Sequence, residues 1–78
     1  MRDSVRFFAE AMEEKLKLND HKGGWENMDC NHLTERLLDE VAEMKAALTP
    51  ESCMAEAIDV ANFVMMIWDI ARAQKEKS

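Results

Sequence analysis

The chain is predicted to be all-α, with an N-terminal helix followed by an antiparallel helical hairpin. Its 78 residues include two glycines, one proline and no tyrosine, so residues that break helices or favour strands are scarce. Ala, Leu, Glu and Lys, which favour helices, are abundant, and apolar residues recur every three or four positions along most of the chain. This length holds one domain, which we assign to residues 1–78.

The first helix is predicted over residues 3–18. Its apolar side chains lie on one face, because they follow one another at helical spacing. They are Val5, Phe8, Ala9, Met12 and Leu16. Residues 19–24 then collect turn formers and end in Gly23 and Gly24, which adopt a positive φ without steric penalty. We expect a loop from there to about Asn31.

The second and third helices are predicted to form the hairpin. Asn31 is expected to cap the second helix, which has an apolar stripe of its own. That stripe is Leu33, Leu37, Val41, Met44 and Leu48. Residues 49–51, Thr-Pro-Glu, then bring a capping side chain, a first-turn proline and an acid near the positive helix end, in the order that begins a helix. We expect the third helix to run to about Ala73, followed by a solvated tail over residues 74–78.

The third helix is apolar on nearly every side. Between residues 54 and 71 its polar side chains are Glu56, Asp59, Asn62 and Asp69. Such a helix is buried on most sides, which a single hairpin cannot achieve. Chains below about 80 residues also seldom gain more than about 3–5 kcal/mol from one core. We therefore expect a homo-oligomer, a dimer or a tetramer, in which a second copy covers this helix.

Charge and composition exclude several classes of partner. Sixteen acidic residues against ten basic ones leave a net charge of -6, which suits the phosphates of a nucleic-acid duplex poorly. The longest apolar run, residues 63–68, is far shorter than the roughly 20 residues of a membrane-spanning helix. Cys30 and Cys53 are too few for a disulfide framework, and no charged-then-apolar secretion signal follows Met1. We expect a cytoplasmic protein that contacts neither membrane nor duplex.

Four acidic residues of the hairpin are candidate metal ligands. Glu43 and Glu56 lie at about the same distance from a turn near Thr49. Glu40 and Asp59 lie one helical turn deeper on each side, so the four carboxylates can converge. Converging carboxylates repel one another and favour a bound cation, and oxygen ligands favour Mg²⁺ or Mn²⁺. The alternative is that Glu40 and Glu43 are ordinary solvated helix positions.

These acids carry a resemblance to a known family. The E-x-x-E motif of residues 40–43 and the E-x-x-D motif of residues 56–59 are separated by twelve residues. This pattern resembles the signature of the MazG-like all-α nucleoside triphosphate pyrophosphohydrolases. With the residues around the two motifs, and more loosely the K-G-G-W of residues 22–25, the resemblance covers about residues 13–72.

The resemblance implies a bundle built by paired helices of different subunits, with Mg²⁺ held by Glu40, Glu43, Glu56 and Asp59. It also implies the hydrolysis of a nucleoside triphosphate, often a deoxynucleotide, to the monophosphate and pyrophosphate. One glutamate, Glu40 or Glu43, would orient or deprotonate the attacking water, and the sequence does not choose between them.

Three further residues are candidates for binding the substrate. Lys22 can reach phosphates from the glycine-containing loop, and Trp25 can stack on a base. Alternatively, Lys22 is a solvated side chain and Trp25 covers the junction of the first two helices. Asn62, one turn beyond Asp59, can hydrogen-bond a sugar or a base edge, or it can fix the register of packed helices.

The main alternative function is a non-catalytic helical oligomer that serves as an interaction or regulatory module. An intermediate alternative is a nucleotide-binding relative that has lost turnover. Zinc is not expected, because His21, Cys30, His32 and Cys53 lack the paired spacing of zinc ligands. A di-iron site would need a Glu-x-x-His motif, which the sequence lacks.

Overall fold

The fold, in a computed structural model that describes residues 1–77, consists of three helices and a short 3₁₀ turn. The helices are α1 (Asp3–Leu18), α2 (Cys30–Ala46) and α3 (Pro50–Lys77), and the 3₁₀ turn spans Asp20–Lys22. The described residues form no strand, which confirms the all-α prediction. Among these residues, no helix combines the length and the apolar character that crossing a membrane requires.

The first helix ends where the turn formers begin. The backbone N–H of Asn19 donates to the carbonyl of Leu16 at 3.0 Å, and its side-chain Nδ2 donates to the carbonyl of Lys15 at 3.3 Å. The two bonds satisfy carbonyls that the end of a helix leaves without an intrahelical donor. After the 3₁₀ turn the chain reverses at Gly23, whose φ of 90° is strained for any residue with a Cβ atom.

The second helix begins earlier than predicted. Its first residue is Cys30, and Asp29 rather than Asn31 occupies the capping position, with an extended backbone. The carbonyl of Asp29 accepts the first helical bond from Leu33 N at 3.0 Å. Asp and Asn are equally good capping residues, so the prediction that Asn31 caps this helix was wrong by two positions.

The third helix begins as predicted and ends later. Ser52 N donates to Thr49 Oγ1 at 3.1 Å, which is the expected cap ahead of Pro50. The helix continues to Lys77 instead of ending near Ala73. Gln, Lys and Glu are good helix formers, and an ion pair between residues one turn apart, Arg72 and Glu76, supports the added turn. The predicted solvated tail is thus helical up to Lys77, and Ser78 lies outside the described residues.

The two hairpin helices are antiparallel and enclose a very small core. At one end of the pair Glu43 meets Glu56, and further from the turn the guanidinium of Arg36 lies 5.5 Å from the centre of the Phe63 ring. Leu33 is fully buried. The helix α1 packs on α3, where Asn62 Nδ2 donates to the carbonyl of Met12 at 3.3 Å.

Much of α3 is uncovered within one chain. Large apolar side chains that remain 48–67% exposed there are Met54, Val64 and Trp68. The face of α1 is similarly open, because Phe7 is 58% exposed and Phe8 is 41% exposed. One chain therefore does not bury α3 on most sides, and the expected coverage by a second copy stays a prediction.

Candidate functional site

Three glutamates converge near the turn of the hairpin. Glu40 and Glu43 come from α2 and Glu56 from α3, and one carboxylate oxygen of each lies within 4.8 Å of the other two. Glu40 and Glu43 share a face because they lie three residues apart on a helix. The antiparallel pairing then places Glu56 opposite them. We call these three residues the acid cluster.

The acid cluster carries an electrostatic cost in its ionised form. Burial raises the pKa of Glu40, and the hydrogen bond and charge of Glu43 raise it further, with smaller effects from Asp59 and Glu56. Burial also raises the pKa of Glu56, followed by the charges of Glu43 and Asp59, while Lys15 acts in the opposite direction. A cation placed among these oxygens would relieve both the repulsion and the loss of water.

One oxygen of the acid cluster lacks a partner. Glu56 Oε2 is buried and has no hydrogen-bond donor among the described residues. A buried carboxylate oxygen without a donor is uncommon in a folded protein, because its desolvation is then uncompensated. An oxygen-preferring cation such as Mg²⁺ fits this donor set, which contains no nitrogen or sulfur ligand.

Asp59 lies beside the acid cluster and outside the group of three. Its Oδ1 lies 3.5 Å from Lys15 Nζ, so α1 supplies a cation at this edge. Its charge nevertheless acts on both Glu40 and Glu56. Of the four predicted metal ligands, the structure brings three together and pairs the fourth with a lysine.

A cleft of about 460 Å³ adjoins the acid cluster. It is bounded by the loop after the 3₁₀ turn on one side and by α2 and α3 on the other. Its lining includes the cations Lys15, Lys22 and Arg36, the carboxylates Glu40 and Asp59, and the aromatic residues Trp25 and Phe63, together with aliphatic side chains such as Leu33. The predicted substrate residues Lys22 and Trp25 thus lie on the same cleft as two of the predicted metal ligands.

The indole of Trp25 is anchored on α3. Its Nε1 donates to Asp69 Oδ2 at 3.0 Å, across 44 residues of sequence. The other oxygen of Asp69 accepts from Arg72 at 2.6 Å. These donors, Arg72 first and Trp25 second, lower the pKa of Asp69. Trp25 therefore has a structural partner on α3, rather than at the expected junction of the first two helices, and it also borders the cleft, while stacking on a base stays a prediction.

Asn62 lies beneath α1 rather than on the cleft. It is 5% exposed, its Nδ2 donates to the carbonyl of Met12, and its Oδ1 is buried without a donor among the described residues. Its bond to α1 agrees with a role in fixing helix packing. A contact of Asn62 with substrate stays a prediction.

Three charged or aromatic residues of the cleft, Lys15, Arg36 and Phe63, were not predicted as site residues from the sequence. Arg36 lies four residues before Glu40, and Phe63 lies four residues after Asp59, so both share a helix face with a candidate ligand. That spacing was a usable signal for both. Lys15 gave no such signal, because its position depends on how α1 packs across α3.

Comparisons of the chain with protein-family models, with curated proteins and with solved structures gave no match. The chemistry of the site must therefore be argued from its own residues. They place clustered carboxylates, suited to a hard cation, beside a cleft that offers cations for phosphates and aromatic rings for a base.

Proposed function

We propose that the chain hydrolyses a nucleoside triphosphate, canonical or modified and often a deoxynucleotide, to the monophosphate and pyrophosphate in a Mg²⁺-dependent reaction. The observation that carries this proposal is the junction of the acid cluster with a cleft that holds both basic and aromatic side chains. The sequence resemblance to the MazG-like pyrophosphohydrolases supports the same reaction. Such an activity would clear damaged nucleotides or control the nucleotide pool.

Each group of residues has a part in this reaction. Glu40, Glu43 and Glu56, with Asp59 at their edge, would hold Mg²⁺, for which Mn²⁺ can substitute. The ion supplies charge neutralisation on the phosphates and promotes ionisation of the attacking water. Glu40 or Glu43 accepts the proton of that water as its oxygen bonds to the α-phosphorus. The bond from the α-phosphorus to the bridging oxygen breaks, and pyrophosphate leaves with the electron pair.

The cleft would bind the rest of the nucleotide. Lys22 and Arg36 would contact phosphates, since both line the cleft. The ring of Trp25, which lines the same cleft, would stack on the base. Lys15, which pairs with Asp59 and also lines the cleft, would add a further cation for the phosphates.

The decisive experiment measures pyrophosphate, monophosphate and orthophosphate released from a panel of ribo- and deoxynucleoside triphosphates. We expect pyrophosphate and monophosphate in the presence of Mg²⁺ and none for Glu40→Gln. Asp39→Asn is the matched control, because Asp39 is the preceding residue of α2, is exposed and lies outside the acid cluster. Absence of turnover with both Mg²⁺ and Mn²⁺ would favour the non-catalytic oligomer instead.

We also propose that the active form is a homo-oligomer, a dimer or a tetramer, in a reducing compartment such as the cytoplasm. The accessible surface of one chain is 6152 Å². A compact monomer of 9.0 kDa exposes about 4,900 Å². The excess is of the size that each partner buries in a stable interface, about 800 Å² or more.

The groove between α1 and the start of α3 is the proposed interface. It measures about 360 Å³ and is lined by Phe7, Phe8, Met54 and Ile58 among others. Met54→Glu is expected to shift light scattering toward the monomer, since Met54 is 67% exposed and its replacement leaves the fold of one chain intact. Leu48→Glu, at a 94% exposed position of the turn, is the control. A monomeric unsubstituted chain would contradict the proposal.

A further inference from the structure

The loop over residues 23–29 forms few hydrogen bonds with the rest of the molecule. It begins at the positive-φ Gly23, and its backbone bonds are local, from Gly23 N to the carbonyl of Asp20 and from Met28 N to the carbonyl of Trp25. Among the hydrogen bonds of residues 1–77, the bond from Trp25 Nε1 to Asp69 is the one that joins this loop to α3. A single side-chain hydrogen bond thus joins this loop to α3 at the edge of the cleft.

Both oxygens of the Asp69 carboxylate accept hydrogen bonds. One carboxylate oxygen receives the indole N–H at 3.0 Å and the other receives Arg72 at 2.6 Å. Arg72 is itself bonded to Glu76 at 2.9 Å, one turn further along the same helix. The carboxylate therefore has a fixed orientation on a rigid element, and a charged acceptor forms a stronger hydrogen bond than a neutral one.

The ring of Trp25 stands between two spaces. It borders the cleft that contains Lys22 and Arg36. It also borders a cavity of about 320 Å³ that is lined by Met12, Leu16 and Met65, and by Asp69 itself. An indole without its anchor has room to turn into either space. In the observed position, which the bond to Asp69 supports, the residue borders both.

We propose that Asp69 is a positioning residue, which holds the indole of Trp25 at the edge of the cleft and thereby sets the affinity for the base of the nucleotide. Asp69 does not touch the reacting atoms. This inference rests on the proposed function for its kinetic consequence, whereas the positioning itself can be measured without a nucleotide.

The kinetic test compares substitutions at Asp69. Asp69→Leu removes the acceptor and is expected to raise KM about tenfold with kcat within about twofold, because a hydrogen bond to a charged group is lost from binding alone. Asp69→Asn keeps an acceptor oxygen for the indole, so its KM is expected within about threefold of the original. Glu35→Gln, at an exposed position of α2 outside this hydrogen-bond network, is the control for the loss of one negative charge. A fall in kcat with unchanged KM would overturn the proposal.

A double substitution tests whether Asp69 acts through the indole N–H. Trp25→Phe retains an aromatic ring and lacks the donor. We expect it to raise KM about as much as Asp69→Leu, and we expect the two changes together to cost no more than either alone. Independent, multiplying effects would show that Asp69 influences the substrate by another route.

The last measurement needs no substrate. In a Trp68→Phe background Trp25 is the remaining tryptophan, so its emission can be followed alone. Asp69→Leu is expected to shift that emission to longer wavelength and to increase its quenching by acrylamide, while the helical circular dichroism is retained. An unchanged emission would overturn the positioning role. If the unsubstituted chain hydrolyses no nucleotide, the proposed function fails, and this measurement still decides whether Asp69 holds the indole.

Discussion

Acidic side chains at the two ends of α3 have opposite surroundings. Glu56 lies beside Glu40 and Glu43, and one of its oxygens is buried without a donor among the described residues. Asp69 lies about 20 Å further along the helix axis and receives a donor on each oxygen. Burial and neighbouring charge raise the pKa of Glu56, whereas the hydrogen bonds of Arg72 and Trp25 lower the pKa of Asp69.

The contrast shows that hydrogen-bond partners, rather than residue type, set the surroundings of these two acids. A carboxylate with two donors stabilises the folded chain in its ionised form. A group of ionised carboxylates without donors destabilises it, and either a bound cation or protonation relieves that cost. Removing the charge of Glu56 should therefore stabilise the metal-free fold, whereas removing the charge of Asp69 should destabilise it.

The largest expected effect is the loss of activity when the charge of Glu56 is removed. Glu56→Gln preserves the size of the side chain and removes its charge, and we expect pyrophosphate release to fall by about 10³-fold or more, as when a charge-stabilising group is removed from an active site. Asp69→Asn should stay within about threefold in kcat. Comparable losses in both variants would remove the distinction between the two ends.

The next largest expected effect is the loss of stability when a buried side chain beneath the cleft is truncated. Leu33 is fully buried and lines the cleft, so Leu33→Ala is expected to lower the free energy of unfolding by about 3 kcal/mol, measured by urea denaturation. The same truncation at Leu48, which is 94% exposed, should change it by less than about 0.5 kcal/mol. Equal costs at the two positions would contradict the packing of α2 against α3.

The acid cluster predicts a pH dependence without metal. Since the pKa values of Glu40 and Glu56 are raised in the folded chain, the ionised cluster destabilises the fold above those pKa values. This destabilisation is relieved as the pH falls through them toward the ordinary value of 4.5. We therefore expect Tm in EDTA to rise from this source as the pH is lowered from neutral toward 4.5, measured by thermal unfolding followed by circular dichroism.

One substitution and the addition of metal distinguish the effect of the acid cluster on Tm from the effects of other titrating groups. Glu43→Gln, which removes a cause of both raised pKa values, should flatten the Tm profile relative to the exposed control Glu35→Gln. Saturating Mg²⁺ should reverse the slope, because protons then compete with the cation for the carboxylates. A profile that is identical in the Glu43 variant would show that the cluster does not carry the dependence.

The smallest expected effect concerns the exposed ion pair between Arg72 and Glu76, one turn beyond Asp69 on α3. Glu76 is exposed and bonds Arg72 one turn away on the same helix. Glu76→Gln should change the free energy of unfolding by about 0.5 kcal/mol or less, by chemical denaturation, because solvent screens such pairs. A cost above about 1 kcal/mol would mean that Glu76 supports Asp69 and Trp25 through Arg72.

The local sequence determined the helices and their order. Apolar spacing predicted α1, and the Thr-Pro-Glu of residues 49–51 predicted the start of α3. The start of α2 was predicted less accurately, because Asp29 and Asn31 are equally good capping residues. The three glutamates of the acid cluster also followed from the sequence, because helical spacing and an antiparallel turn suffice to bring them together.

Only the tertiary structure decided what faces these acids. The packing of α1 across α3 brings Lys15 to Asp59 and buries Asn62 against Met12. The bond between Trp25 and Asp69 joins residues that are 44 positions apart. No periodicity encodes such contacts, since they depend on the angle at which one helix crosses another and on the course of a loop. Local spacing thus fixes which side chains share a helix face, and packing fixes which partners they meet.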